Sequence, residues 1–104
     1  MKTADVPLDS RDAVEIERLL RPYLDRLGAR LILFGSRARG DARPGSDIDL
    51  AIQAEAPTPD WLLAEIREQL AESQLPWEVD VVDYRRAPPE LQQAIDREGI
   101  PWPM

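Results

Sequence analysis

The sequence contains neither cysteine nor histidine. Without cysteine, the chain has no means of forming disulfide bonds or a thiolate metal site. Without histidine, it has no imidazole for acid–base catalysis and no histidine ligand for zinc. Any metal site must therefore use oxygen ligands, and oxygen ligands favour a hard cation such as magnesium.

Long hydrophobic runs are also absent. No apolar stretch approaches the roughly 20 residues that a helix needs to cross a bilayer. The first residues, Met1 to Asp5, lack the apolar core of a signal peptide. We therefore expect a cytoplasmic protein with no membrane partner. The 104 residues, of which 43% are hydrophobic and 32% charged, predict one globular domain over residues 1–104.

Basic residues are fewer than acidic ones. Thirteen Lys and Arg stand against 20 Asp and Glu, so the net charge is −7. This balance argues against direct DNA binding, because nucleic-acid affinity depends on neutralising phosphates. It is compatible with a basic protein partner, although a moderate net charge also serves simply to keep a domain soluble.

The spacing of hydrophobic residues predicts the element order α-β-(short α)-β-α-β-α. The first helix begins after Asp9-Ser10, contains Pro22, which should kink or shift it, and ends at Gly28. The predicted strands are Arg30 to Phe34, Asp47 to Gln53 and Trp77 to Tyr84. A short helix is predicted from Ser36 to about Gly40, and a longer one begins within residues 57–60. The last predicted helix begins at Pro88-Pro89 and ends at Gly99.

The three tryptophans are expected to play different parts. Trp61 is predicted to lie on the inner stripe of its helix, with Leu62, Ile66 and Leu70, and Trp77 is also predicted to pack in the core. The apolar tail of residues 100–104 contains two prolines that exclude a helix. The tail either packs on the domain or docks on another chain in a homo- or hetero-oligomer, and its Trp102 is the predicted contact residue.

Gly35 and Ser36 directly follow the first predicted strand. A chain that turns sharply and approaches a ligand closely favours glycine, which has no side chain to obstruct it. Ser36 would begin the short helix, where free backbone N–H groups attract anions, and its hydroxyl adds one donor. The pair predicts a phosphate-binding turn, although Gly-Ser on its own is more often an ordinary helix cap.

Asp47 and Asp49 alternate with Ile48 and Leu50 on the second predicted strand. Residues two apart on a strand project from one face, about 7 Å apart along the chain. Carboxylates that converge repel each other unless a cation or proton lies between them. Two divalent ions held by such a pair would stabilise an in-line displacement at phosphorus. An isolated Asp-x-Asp is more often a solvated strand face, but its place about ten residues after Gly-Ser favours a metal site.

A third carboxylate is expected from the third predicted strand. Val79 and Val81 favour the core, so Glu78 and Asp80 should point to the open side of the sheet with the aspartate pair. Asp80 is therefore the predicted third ligand. Asp83 is the alternative, if a bulge or the end of the strand turns its side chain.

Three arginines, Arg37, Arg39 and Arg43, lie in or beside the loop between the turn and the aspartates. An arginine at this place would neutralise charge on the transferring or leaving phosphates. Loop arginines are more often solvated, and we expect one of the three to act, with Arg37 and Arg39 as the nucleotide-binding candidates. Ser46 joins them as a candidate that either caps the entry to the aspartate strand or touches the metal shell.

Together these residues resemble the minimal nucleotidyltransferase family of the polymerase-beta-like superfamily. The family pattern is a Gly-Ser turn, about ten residues that include a glycine and an arginine, and then Ser-Asp-x-Asp. The chain supplies it as Gly35-Ser36-Arg37-Ala38-Arg39-Gly40-Asp41-Ala42-Arg43-Pro44-Gly45-Ser46-Asp47-Ile48-Asp49. The resemblance extends to the preceding helix and strand and to the later strand that contains Asp80, and no motif position departs from the pattern.

The resemblance implies an α/β (α+β) fold with a small mixed sheet and helices packed mainly on one face. It implies ATP as substrate and two magnesium ions as cofactors. Gly35 and Ser36 would bind phosphate, and Asp47, Asp49 and Asp80 would be both the catalytic residues and the metal ligands. Asp80 would also serve as general base toward the acceptor hydroxyl.

Members of this size typically act as antitoxins to a HEPN-domain protein, an RNA-cleaving toxin, by transferring AMP to a tyrosine of that toxin. The resemblance therefore implies an adenylylating antitoxin with a HEPN toxin as partner. Two alternatives stay open at this point. One is a binding antitoxin that masks the toxin with little or no catalysis, and the other is a nucleotidyltransferase that modifies a small molecule, as aminoglycoside-modifying relatives do.

Overall fold

The computed structural model describes residues 6–103. Its elements are α1 (Ser10–Leu27), β1 (Arg30–Phe34), α2 (Ser36–Arg39), β2 (Ile48–Gln53), α3 (Asp60–Ala71), β3 (Val79–Asp83), a 3₁₀ turn (Tyr84–Arg86), α4 (Pro89–Glu98) and β4 (Ile100–Pro101). The predicted order is confirmed, and β4 is an additional strand. The strands β2 and β3 are one and three residues shorter than predicted. Over residues 6–103, no helix combines the length and apolarity that crossing a bilayer requires.

The first helix begins and ends as its sequence predicts. The Asp9 carboxylate accepts a hydrogen bond from the Arg11 backbone N–H at 2.8 Å and so caps the helix. Gly28 adopts the left-handed conformation (φ 61°) at the other end, where glycine carries no steric penalty. Pro22 does not end the helix, which continues through it to Leu27.

The four strands form one mixed sheet in the order β3-β2-β1-β4. Strand β1 pairs antiparallel with both β2 and β4, whereas β2 and β3 pair in parallel. The parallel pair needs a long crossover, and α3 supplies it. The mixed sheet implied by the family resemblance is therefore confirmed.

The two faces of the sheet are covered differently. Helices α1 and α3 pack on one face and form the main core, to which the strands contribute Leu31, Leu33, Ile48, Leu50, Ile52 and Val81. A smaller cluster on the other face contains Ile32, Phe34, Ala51 and Ile95, the last from α4. The strand residues that alternate with the main core, Asp49 and Asp80 among them, project from this second face.

Within residues 100–103, which the structure describes, the tail packs on its own domain. Trp102 is only 5% exposed, its backbone N–H donates to the Leu31 carbonyl at 2.8 Å, and its indole N–H donates to Glu17 at 3.2 Å. The prediction that Trp102 is a contact residue for another chain is therefore wrong. Antiparallel pairing of β4 with β1 brings the indole against α1.

Trp61 also differs from its prediction, because its side chain is 62% exposed. Leu62, Leu63, Ile66 and Leu70 form the buried face of α3 instead. A helix rotates by about 100° per residue, so a stripe centred on Leu62 and Leu63 turns Trp61 outward. The third tryptophan, Trp77, is partly buried against the main core as predicted, and its indole N–H donates to Asp12 at 2.8 Å.

Candidate active site

The Gly-Ser turn lies directly against the aspartate strand. Gly35 follows β1 with φ of 80° and precedes α2, which begins at Ser36. A β-carbon at residue 35 would overlap the Oδ2 atom and come against the rest of the Asp49 carboxyl group. Glycine is therefore required here for two separate reasons, its conformation and the absence of space. The fold brings the predicted phosphate turn and the predicted metal ligand together.

The three predicted metal ligands lie side by side at one end of the sheet. Asp49 is the register partner of Phe34 on β1 and of Asp80 on β3. Asp47 immediately precedes β2, two residues from Asp49, and strand alternation puts both on one face. Burial raises the pKa of the half-buried Asp49 carboxyl, and the carboxylates of Asp80 and Asp47 raise it further.

Asp83 occupies a different environment from Asp80, although both belong to β3. It is 4% exposed, and its carboxylate accepts hydrogen bonds from the backbone N–H groups of Thr58 at 3.0 Å and Arg85 at 3.2 Å. Arg86 lies 3.5 Å from the same carboxylate. Asp83 therefore ties the start of α3 to the end of β3, and the structure brings Asp80 to the aspartate pair instead.

Arg37 and Ser46, two of the nucleotide-binding candidates, form contacts within the loop and its surroundings. The Arg37 guanidinium donates to the Ser46 carbonyl at 2.6 and 3.2 Å and lies 4.9 Å from the centre of the Trp77 ring. The Ser46 hydroxyl accepts from the Arg43 backbone N–H at 2.8 Å. Arg43 itself is exposed. These contacts give Arg37 and Ser46 a structural role, and a nucleotide-binding role for them stays a prediction.

Glu98 is a site residue that the sequence analysis missed. Its Oε2 atom accepts from the Gly35 backbone N–H at 2.8 Å and from the Arg39 guanidinium at 3.1 Å, while Arg39 also pairs with Asp41 at 3.2 Å. The Glu98 side chain is 12% exposed. No spacing signal links it to the turn, because 63 residues separate the two along the chain.

A cavity of about 510 Å³ opens beside Asp47 and Asp80. Its apolar wall includes Leu75, Trp77 and Val79. The cavity lies beside β3, the edge strand of the sheet, and Arg67, Leu70 and Ala71 of α3 also line it. It is large enough for one aromatic side chain or a base, since ligand pockets begin near 300 Å³.

The chemistry of these donors fits magnesium. Aspartate oxygens are hard ligands, and three carboxylates on neighbouring positions repel one another until a cation neutralises them. Burial is the main cause of the raised pKa of Asp49, and the neighbouring carboxylates of Asp80 and Asp47 add to it. Within residues 6–103, no three or more His, Cys, Asp or Glu side chains are already gathered as a metal-binding cluster. Ion binding would therefore require the carboxylates to converge.

The comparison with protein families agrees with this geometry. Residues 26–101 match the family described as polymerase beta, nucleotidyltransferase. The chain belongs to this family. The matched nucleotidyltransferase region begins near the end of α1 and includes the whole sheet, so it contains the Gly-Ser turn, all three aspartates and Glu98.

One curated relative within this nucleotidyltransferase group is the "Probable protein adenylyltransferase MntA" of Haemophilus influenzae. It is 39% identical over 62 residues, which are 60% of this chain and 54% of the relative. The chain thus matches about half the length of that protein.

Two solved structures are similar over most of the chain. A crystal structure of a toxin–antitoxin with AMP-PNP contains a chain with a TM-score of 0.71 and 34% identity, over 86% of this chain and 70% of that one. A structure of a tri-AMPylated Shewanella oneidensis HEPN toxin in complex with an MNT antitoxin gives a TM-score of 0.65 and 31% identity, over 86% and 66%.

Proposed function

We propose that this chain is a magnesium-dependent protein adenylyltransferase that acts as an antitoxin. Its substrate would be ATP. The acceptor would be the hydroxyl group of a tyrosine on a HEPN toxin, and the reaction would take place in the cytoplasm. The observation that carries the proposal is the packing of the Gly35 turn against Asp49, with Asp80 beside it on the parallel strand. The names of the matched adenylyltransferase and of the AMPylated toxin complex support the choice of reaction and partner.

The proposal assigns the nucleotide phosphates to the turn. The backbone N–H groups at Gly35 and Ser36 would donate to phosphate oxygens, and so would Arg39, which shares the Glu98 carboxylate oxygen with the Gly35 N–H. Asp47, Asp49 and Asp80 would hold the magnesium ions. When bound, magnesium neutralises the carboxylates and the phosphate charge and so favours displacement at phosphorus.

The transfer itself would be an in-line displacement. The acceptor oxygen forms a bond to the α-phosphorus, the bond from that phosphorus to the bridging oxygen of the β-phosphate breaks, and pyrophosphate leaves. The acceptor proton passes to the Asp80 carboxylate as the new bond forms. AMP is then joined to the acceptor as a phosphodiester.

The order of the strands supports an orientation for the two substrates. If the phosphates bind at the Gly35 turn, pyrophosphate would leave on that side, and an in-line acceptor would approach past Asp80 from the edge of the sheet at β3. The cavity beside Asp47 and Asp80 lies at that edge, and Trp77 gives its wall an aromatic surface. We therefore assign the acceptor side chain to this cavity.

Intact mass spectrometry of the HEPN toxin tests the proposal. The toxin is incubated with the protein, ATP and magnesium, in parallel with the Asp47→Ala/Asp49→Ala variant. A gain of one or more AMP masses, lost with the variant, is the expected result. No gain, while a stable complex with the toxin still forms, would overturn the catalytic proposal and favour an antitoxin that acts by binding alone.

A further inference from the structure

The contacts of Glu98 indicate a role that goes beyond the proposed function and that rests on it. One carboxylate oxygen of Glu98 accepts hydrogen bonds from both the backbone N–H of Gly35 and the guanidinium of Arg39. These are two of the donors that the proposed function assigns to nucleotide phosphate. We propose that Glu98 is an affinity-determining residue whose carboxylate occupies the phosphate-binding donors of the turn until the nucleotide displaces it.

The contacts of Glu98 match those of a phosphate oxygen. A carboxylate and a phosphate each carry negative charge and accept charge-assisted hydrogen bonds from N–H groups. The distances of 2.8 Å to Gly35 and 3.1 Å to Arg39 are those of real hydrogen bonds. A phosphate oxygen that binds the same donors must therefore take the place of the Glu98 carboxylate.

The backbone around Glu98 is held in place, so only its side chain is free to move away. Glu98 is the last residue of α4, and the next residue, Gly99, lies against the Ile95 carbonyl and the Ile32 side chain with no room for a β-carbon. Strand β4 follows at once and pairs with β1, where Ile100 is opposite Leu33. Displacement of the carboxylate would occur by rotation about the side-chain bonds.

The charge around the turn determines the sign of the effect. Glu98 adds a fourth carboxylate to the end of the sheet that already contains Asp47, Asp49 and Asp80, and it also neutralises Arg39. Both effects oppose the approach of a polyanion such as a triphosphate. Neutralising Glu98 should therefore tighten nucleotide binding, whereas a residue that only supports the turn would weaken binding when it is lost.

Calorimetric titration with magnesium and AMP-PNP tests the sign. Glu98→Gln retains the size and the acceptor oxygen of the side chain but removes its charge, and we expect about tenfold tighter binding than in the unchanged protein. Glu98→Ala removes the acceptor as well and should change the affinity in the same direction. The matched control is Glu90→Gln, an exposed acid in the first turn of α4, which should bind within about twofold of the unchanged protein.

Amide NMR on the nucleotide-free protein tests the contact independently of binding. We expect the Gly35 amide resonance to shift in Glu98→Gln and to stay in place in Glu90→Gln. An unshifted Gly35 resonance, or equal or weaker AMP-PNP binding by Glu98→Gln, would overturn the inference. If neither the unchanged protein nor any variant binds AMP-PNP, the proposed function is overturned instead. This holds even if the Gly35 resonance shifts in Glu98→Gln and so shows the contact.

Discussion

Gly35 and Asp49 pack so closely that a β-carbon on Gly35 would overlap the Asp49 carboxylate. Gly35 directly follows β1 and Asp49 belongs to β2, and their contact joins the proposed phosphate turn to a proposed metal ligand. Gly40 also has a positive φ, 85° against 80°, but its ψ of 11° is left-handed helical, whereas the ψ of Gly35 is −161°. Open space lies where the Gly40 β-carbon would be. Gly35 is therefore constrained both by a conformation that is essentially restricted to glycine and by its contact with Asp49, whereas Gly40 is constrained by conformation alone.

Gly35→Ala should destabilise the protein more than Gly40→Ala. Both variants place alanine at positive φ, but the left-handed helical conformation of Gly40 should cost alanine about 1 kcal/mol, whereas the conformation of Gly35 should cost it about 1–3 kcal/mol. At residue 35 the overlap with Asp49 should add about 1–3 kcal/mol, as overpacking does elsewhere. Urea denaturation measures the difference. AMP transfer should fall steeply only in Gly35→Ala, and equal losses of stability in both variants would contradict both the conformation and the Asp49 contact that we assign to Gly35.

Asp49→Asn should abolish AMP transfer and yet raise the melting temperature of the metal-free protein. Burial and two neighbouring carboxylates raise the pKa of Asp49, so its ionised form destabilises the fold. We expect a gain of about 2–4 °C at neutral pH in a chelating buffer, after allowing for solvent screening of a half-buried group. Glu55→Gln, in an exposed loop, removes one charge elsewhere and should leave the melting temperature unchanged.

The gain from Asp49→Asn should depend on pH. A raised folded-state pKa means that the contribution of Asp49 to stability is fully present below the ordinary value of 3.8 and is lost as the pH rises through the folded-state pKa. The advantage of the asparagine variant should therefore be full at pH 7 and shrink as the pH falls toward 3.8. A gain in melting temperature that is the same at pH 7 and near pH 3.8 would contradict the raised pKa that we assign to Asp49.

Asp80→Asn and Asp83→Asn should separate activity from stability. Asp80 is exposed beside Asp49, so its variant should lose most AMP transfer and unfold within about 0.5 kcal/mol of the unchanged protein. Asp83 is buried and accepts two backbone hydrogen bonds, so its variant should lose about 2–3 kcal/mol. Activity measured beside urea unfolding checks both. The reverse pattern would make Asp83 the third catalytic carboxylate.

Magnesium should stabilise the unchanged protein, because an ion that binds only the folded state raises its melting temperature by mass action. We expect a rise of several degrees in millimolar magnesium, reversed by a chelator. The Asp47→Ala/Asp49→Ala variant, which lacks two of the three proposed ligands, should show no such rise. Equal rises in both proteins would indicate that magnesium binds elsewhere.

Trp102→Ala should unfold far more easily than Trp61→Ala. The buried indole of Trp102 packs in the main core and donates to Glu17, so its removal should reduce the free energy of unfolding by about 3–5 kcal/mol. The exposed Trp61 should contribute less than about 0.5 kcal/mol. Thermal melts of both variants decide this. A comparable loss in the two would contradict the burial assigned to the tail.

Local patterns in the sequence predicted most of the site. Strand alternation placed Asp47 and Asp49 on one face, and it placed Val81 in the core with Asp80 on the opposite side of β3. The Gly-Ser turn after an apolar strand predicted the short helix at Ser36. These signals act over a few residues, where side-chain period and turn chemistry decide the backbone.

The same local rules left the choice between Asp80 and Asp83 open. Pairing of β3 with β2 favours Asp80, because the register puts Asp80 opposite Asp49 while Asp83 is held by Thr58 and Arg85. Trp61 was misplaced for a related reason. Apolar residues at 61, 62, 63 and 66 fit more than one helical phase, and only packing against the sheet selects one.

The sequence by itself determined the residue types and the spacing on which the proposed chemistry rests: oxygen ligands in place of cysteine and histidine, a Gly-Ser turn, and the aspartate pair that follows it. The tertiary structure alone decided what surrounds that chemistry. Glu98 reaches Gly35 across 63 residues, and Trp102 reaches Glu17 across 85. Contacts at such separations have no periodic signature in the chain, because they arise from which elements pack together rather than from the conformational preference of any one of them.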